Sequence, residues 1–221
     1  MTTLLIATRN RHKVQEIRTI LGDAFRYLSL DDFPGAPAIR EHAATFSGNA
    51  ALKATGLARW LTETPAAAAR LANSGDVLVL ADDSGLEVDA LDGAPGVHSA
   101  RFAALDAGTD GNSPDAANNA KLLRLLAHVP SAKRTARFRC ALALAPVPGR
   151  GQARGETRFF AGACEGHIDC GPRGAGGFGY DPLFIPRGFE QSFAELGEET
   201  KNRLSHRAAA LARMRTELMP E

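Results

Sequence analysis

The chain has 221 residues, enough for one domain built as two lobes, and at this size folding buries roughly 70% of the unfolded surface. Its 44% hydrophobic and 23% charged residues are ordinary for a globular protein, and no apolar run approaches the roughly 20 residues of a membrane span. A formal net charge of +1 argues against a dedicated binder of nucleic acid or another polyanion.

Leu4 to Ala7 reads as a buried first strand, and the basic residues come after it, the reverse of a secretory signal. Val14, Ile17, Ile20 and Leu21 recur at helical spacing from Asn10, and Gly22 stands where a helix C-terminus favours positive φ. A loop over Asp32 to Pro37 leads to a second helix from near Thr45, carrying Leu52, Leu57 and Trp60 and interrupted by Pro65. Thr62 to Asp76 is Ala-rich and is expected as a helical extension or surface insert. Val77 to Leu80 is a β-type run ending in Asp82-Asp83-Ser84-Gly85, and Leu86 to Leu91 makes a further strand. Ser113-Pro114-Asp115 starts a helix, with Pro114 at its first position and Leu122, Leu126 and Val129 on one stripe. Arg137 to Ala145 alternates, Gly149 to Gly155 turns, and Thr157 to Ala161 returns as an antiparallel partner. A glycine-dense loop, Gly171 to Gly179, precedes an apolar run ending at Ile185, and one last helix carries Leu204, Ala208, Leu211, Met214 and Leu218. Strands and helices intermix with at least one hairpin, so the expectation is an α/β fold with a mixed sheet. Cys140, Cys164 and Cys170 form no CxxC pair and no disulfide framework, which suits a reducing cytoplasm.

Four segments can carry chemistry. Thr8-Arg9-Asn10-Arg11-His12-Lys13 lies between the first strand and first helix, where free N–H groups attract anions and Lys13 adds a charge; on spacing alone a capped helix with a solvated basic first turn is the favoured reading. Asp82 and Asp83 end an apolar strand, so one can ligate Mg²⁺ while the other binds backbone, although Asp-Ser-Gly also makes an ordinary turn. The run from Gly174 to Gly179 spells GxGxxG, but no helix follows it, which excludes a dinucleotide fingerprint and leaves a tight path presenting Phe178 and Tyr180 to something flat. Lys201, Ser205, His206 and Arg207 fall in the first half of the last helix, with Lys201 and Ser205 on one face.

Taken in order, these pieces resemble the inosine/xanthosine triphosphate pyrophosphatase (Ham1-like) family over nearly the whole chain. The resemblance is carried by Thr8, Asn10 and Lys13; by Glu41, Thr45-Phe46, Asn49-Ala50 and Lys53; by the run from Ala81 to Phe102; by ARFRCALAL and GGFGYDPLF; and by Lys201 with Ser205-His206-Arg207. Gly48 departs from the acidic residue common in the family, and the segment 62–76 is longer than usual. The resemblance implies a Mg²⁺-dependent homodimer that hydrolyses ITP, dITP and XTP to the monophosphate and pyrophosphate, with a long mixed sheet and two lobes around a nucleotide cleft. It assigns the triphosphate to residues 8–13 and Lys53, Mg²⁺ to Glu41 and Asp83, and proton acceptance from water to Asp83. Ser84, Phe178, Gly179, Tyr180, Asp181, Lys201, His206 and Arg207 would contact the nucleotide. A Maf-type pyrophosphatase is the nearest rival, disfavoured by the Phe178 to Asp181 and Ser205 to Arg207 segments; a non-enzymatic nucleotide or nucleic-acid binder is disfavoured by the near-zero charge.

Overall fold

Four-residue β1 (Thr3–Ile6) is buried throughout and lies between two parallel neighbours, β2 (Arg26–Ser29) and the first four residues of β3 (Val77–Val88). Its register sets Thr3 against Arg26 on one side and Val77 on the other, and Ile6 against Ser29 and Leu80. Three further strands, β4 (Thr135–Pro146), β5 (Arg158–Ile168) and β6 (Phe184–Pro186), complete a sheet of order β2-β1-β3-β4-β5-β6. Arg137 pairs with Asp89, just past the end of β3, and Arg139 with Glu87 inside it, so β3 and β4 run in opposite senses; β5 pairs with β6 antiparallel, and the sheet is mixed as expected. The computed structural model describes residues 1–109, 111–148 and 155–219; most of the Gly149–Gly155 turn lies outside them.

The chain divides into two compact units: residues 1–83, 141–161 and 210–221 form one, residues 84–140 and 162–209 the other. In the first, α1 (Arg11–Leu21) starts at Asn10, whose side chain accepts the Lys13 N–H, and ends at Gly22 with φ of 59°. The long helix α2 (Phe46–Glu63) buries Ala50, Ala54, Leu57, Ala58 and Leu61 on one face, against Val79, Ala81, Ala143 and Ala145. Alanines on both sides let helix and sheet approach closely, while fully buried Leu61 fills the remaining volume; truncating it to Ala costs about 2–5 kcal/mol. Pro65 ends this helix and opens α3 (Pro65–Leu71), whose Ala67 is buried in the same core, so the segment 62–76 is not wholly superficial.

The second unit contains α4 (Ala104–Ala107), α5 (Asp115–Leu125) and α6 (Phe193–Leu204), with a core of Leu86, Phe102, Leu122, Phe138, Phe184 and Phe193. The rings of Phe184 and Phe193 stack with centroids 5.4 Å apart, and Phe138 lies 4.6 Å from Phe184. Ser192 caps α6 in a reciprocal box with Glu195.

Three expectations are corrected. Asp82 to Gly85 form no turn and Leu86 to Leu91 no separate strand: the 12-residue β3 runs through residues 82–85 and on to Val88, with lysines distant in sequence neutralising its carboxylates, and Asp89–Leu91 is a single helical turn. The final helix is two, since Ser205 is extended (ψ 159°) between α6 and α7 (His206–Leu218), so Lys201 and Ser205 do not share a helical face. Strand β2 has no counterpart in the sequence reading; its alternation is weak and pairing with β1 creates it.

Candidate active site

In the first unit the turn from β1 to α1 is organised by its own side chains. Thr8 Oγ1 accepts the Asn10 N–H at 3.1 Å, and Asn10 Oδ1 accepts the Lys13 N–H at 3.2 Å. Arg9 donates to the Ala36 carbonyl at 2.8 Å, while Arg11 and His12 stay exposed. The Lys13 ammonium reaches back to the Asp82 carboxylate.

Glu41 lies in the loop before α2, and Asn49 fixes that loop: its Oδ1 accepts the Ala43 N–H at 2.9 Å from a side chain 1% exposed. One turn along α2, Lys53 donates to Glu41 Oε2 at 3.1 Å, to Asp83 Oδ1 at 3.1 Å and to the Asp82 carbonyl at 2.8 Å. Its side chain is largely enclosed and ties three acidic or carbonyl groups together. Asp83 Oδ2 is buried without a hydrogen-bond partner among the described residues.

The two carboxylates on Lys53 titrate in opposite directions. Burial raises Asp83 to about 6, with Lys53 and Lys13 opposing and Glu41 reinforcing the rise. For half-buried Glu41 desolvation also acts upward, but Lys53 outweighs it and the carboxyl ends below its ordinary value. Burial weakens the Lys53 ammonium, yet Asp83, Glu41 and Asp82 overcome it and hold the charge. An environment that separates two carboxyls this way leaves one ionised and one able to exchange a proton near neutrality.

In the second unit, Ser84 opens its share of β3 and its hydroxyl accepts a 3.0 Å bond from Arg207 Nη2, whose side chain is 1% exposed. His206 stacks on Phe138 at 4.9 Å and 14°. The Lys201 ammonium lies 4.1 Å from the centroid of Phe178 and donates to Asp181 Oδ2 at 2.6 Å, an oxygen that also accepts the Phe178 N–H at 2.9 Å. Both members of the Lys201–Asp181 pair are buried. Gly177 must be glycine: its φ is 73°, and a Cβ would collide with the Asp181 carboxylate. Tyr180 corrects its expectation, since its ring is in the core and its hydroxyl donates to the Ser99 carbonyl at 2.9 Å, so it is not presented as a flat surface. Asp115, which the sequence offers only as part of a helix start, and Asn119 both bond to Gly179; the available signal is their polar i,i+4 spacing behind Pro114.

A model of the Ham1 family matches residues 4–217. The chain belongs to the Ham1 family. It is 47% identical over 219 residues to a dITP/XTP pyrophosphatase of Geobacter sulfurreducens, covering 99% of this chain and 97% of that protein. A dITP/XTP pyrophosphatase of Geobacillus kaustophilus is also 47% identical, over 215 residues, covering 97% and 93% of the two chains. Among solved structures, a HAM1 protein from Coxiella burnetii superposes with a TM-score of 0.77 at 33% identity, covering 100% of both chains.

In this Ham1-family chain the donor set near Lys53 can be tested against a divalent cation. Among the described residues no group of three or more His, Cys, Asp and Glu could hold a metal, which excludes an all-protein cage there. Mg²⁺ needs no such cage: it takes one or two carboxylates and fills its octahedron with water and substrate phosphates. The unpartnered Asp83 Oδ2 and the ionised Glu41, both on Lys53, suit that demand.

Proposed function

We propose that this chain hydrolyses non-standard purine nucleoside triphosphates, ITP, dITP and XTP, to the monophosphate and pyrophosphate, and so clears them from the nucleotide pool. The observation that carries the proposal is the Glu41–Lys53–Asp83 arrangement, in which one carboxylate is held ionised and the other titrates near 6. It is supported by the dITP/XTP pyrophosphatases that the chain matches over almost its full length.

Water attacks the α-phosphorus, the bond to the bridging oxygen breaks, and pyrophosphate leaves. Asp83 accepts the proton of that water, a task suited to a carboxyl whose affinity for protons burial has raised. Residues 8–13 and Lys53 hold the triphosphate by ammonium charge and by N–H groups of the first turn of α1 other than that of Lys13, which Asn10 caps. Glu41 and Asp83 would hold Mg²⁺, which when bound supplies neutralisation of phosphate charge. Phe178, with Lys201 over its ring, offers a stacking surface to the base, and Ser84, Gly179, Asp181, His206 and Arg207 complete the nucleotide contacts. A 6-oxo purine accepts a hydrogen bond where adenine offers an amino group, so a buried donor such as Arg207 disfavours adenine; mismatches of this kind discriminate by roughly 10⁴. The homodimer, the Mg²⁺ requirement and a cytoplasmic place of work belong to the same proposal and rest on the resemblance of the motifs. Among the described residues no helix is long and apolar enough to cross a membrane.

The test is a panel of nucleoside triphosphates with Mg²⁺, scored separately for pyrophosphate and orthophosphate. Pyrophosphate from ITP, dITP and XTP, with little from ATP or GTP, is the expected result. Orthophosphate release, or equal turnover of ATP and ITP, refutes it.

A further inference from the structure

The loop that carries Phe178 is tied at the Phe178 N–H, which donates to Asp181 Oδ2, and at the Gly176 N–H, which donates to the Ala194 carbonyl, but its own composition favours disorder. Gly174, Gly177 and Gly179 all have positive φ, and a chain so rich in glycine loses much entropy when it is ordered. Something outside the loop must offset that cost, and α5 is placed to do so. The Gly179 N–H donates to Asp115 Oδ2 at 2.6 Å, and the Gly179 carbonyl accepts from Asn119 Nδ2 at 3.0 Å. One peptide donor and one acceptor on the same glycine are thus gripped by two side chains one helical turn apart.

The helix is itself anchored. Asn118, adjacent to Asn119, takes the Ala103 N–H at 2.8 Å and gives to the Ala100 carbonyl at 3.3 Å, and Lys121 donates to the Phe102 carbonyl at 2.7 Å. A second feature marks Asn119 as more than filler: its Oδ1 is buried without a hydrogen-bond partner among the described residues. Turning the amide over would place that oxygen against the Gly179 carbonyl, so the grip on the loop dictates the orientation and leaves Oδ1 unsatisfied. Buried unpaired acceptors of this kind are uncommon and cost stability, which is the mark of a side chain retained for what its other end does.

We propose that Asp115 and Asn119 are positioning residues for base recognition: from α5 they clamp Gly179 and so hold the ring of Phe178 in the orientation a purine stacks on. Neither touches the reacting atoms. The inference rests on the purine triphosphate reading, and it predicts an effect on binding of the base rather than on bond cleavage. Loosening the loop raises the cost of ordering it in the complex and leaves the Glu41–Lys53–Asp83 chemistry alone.

The experiment compares wild type, Asp115→Ala, Asp115→Asn and Asn119→Ala in steady-state hydrolysis of dITP, with circular dichroism to establish folding. Each alanine variant is expected to raise KM about 5- to 30-fold, the equivalent of one lost hydrogen bond, with kcat changed less than about 3-fold. Asp115→Asn keeps an oxygen acceptor for the Gly179 N–H and should restore KM to within about 3-fold of wild type. An unchanged KM in folded Asn119→Ala overturns the proposal, as does a fall in kcat at constant KM. So does an Asp115→Asn no better than Asp115→Ala. Should an alanine variant not fold, Asp115→Asn and Asn119→Ser are compared instead, the first near wild type and the second raised in KM; equality of the two overturns the clamp. Wild-type enzyme that releases no pyrophosphate from dITP refutes the purine triphosphate reading, whereas active wild type with unaffected variants refutes only the clamp.

Discussion

Replacing Asp83 by Asn should make the protein more stable and nearly inactive. The side chain keeps its size and its ability to accept from Lys53, so the packing of β3 survives. Its folded carboxyl titrates near 6 against an ordinary value of 3.8, mainly because burial penalises the charge. A carboxyl raised in the folded state stabilises the fold fully only below its unfolded value, and that contribution is lost as pH rises through about 6. At pH 7.5 the ionised group therefore costs about 3 kcal/mol, and at pH 4 less than about 1 kcal/mol. Asn removes the penalty. For a chain of this length the gain corresponds to roughly 6–12 °C in Tm at pH 7.5 without divalent cations, shrinking toward zero at pH 4. Turnover of dITP should drop about 10²–10⁴-fold from loss of the proton acceptor alone. Thermal denaturation of wild type and Asp83→Asn at both pH values, with EDTA, measures the first part, and pyrophosphate release with Mg²⁺ the second. A Tm difference that is absent at pH 7.5, or equal at the two pH values, refutes the electrostatic argument. A folded variant that keeps most of its turnover removes Asp83 as the base.

Lys53→Met takes away the charge that opposes the rise of Asp83, so the acidic limb of the pH–kcat profile should move to higher pH; a limb that stays in place contradicts the geometry at Lys53. Lys201→Met leaves the buried Asp181 carboxylate without its cation and should cost about 3–5 kcal/mol in denaturant unfolding, with part recovered in the Lys201→Met/Asp181→Asn double variant. Gly177→Ala forces a side chain into a positive-φ position against Asp181; dITP binding, read by KM, should weaken, and a wild-type KM would show that the loop has room there.

The elements governed by neighbours in sequence were legible before any fold was known. Asn10 caps α1 through a bond to a residue three positions on, Pro65 ends α2 because it has no N–H, and buried β1 follows from four consecutive apolar or small residues. The residue types of the site were legible through the resemblance to the Ham1-like family. The motifs around Thr8 to Lys13, Glu41, Asp83, Phe178 to Asp181 and His206-Arg207 are short strings of chemically distinctive residues.

What local chemistry cannot carry is decided by partners far along the chain. Asp82-Asp83-Ser84-Gly85 has the composition of a turn, yet it runs on as strand because Lys13 and Lys53 meet its carboxylates from 69 and 30 residues away. Strand β2 exists because β1 pairs with it, and Tyr180 turns inward because the Ser99 carbonyl, 81 residues earlier, takes its hydroxyl. The resemblance to the Ham1-like family named Glu41 and Asp83 together, but burial differs between them, and it is burial set against the shared Lys53 that raises one carboxyl and lowers the other. Composition and spacing thus determined which groups this protein has to work with. Only the tertiary structure decided which of them is charged, because a proton's affinity depends on the solvent and the cations that folding brings or removes.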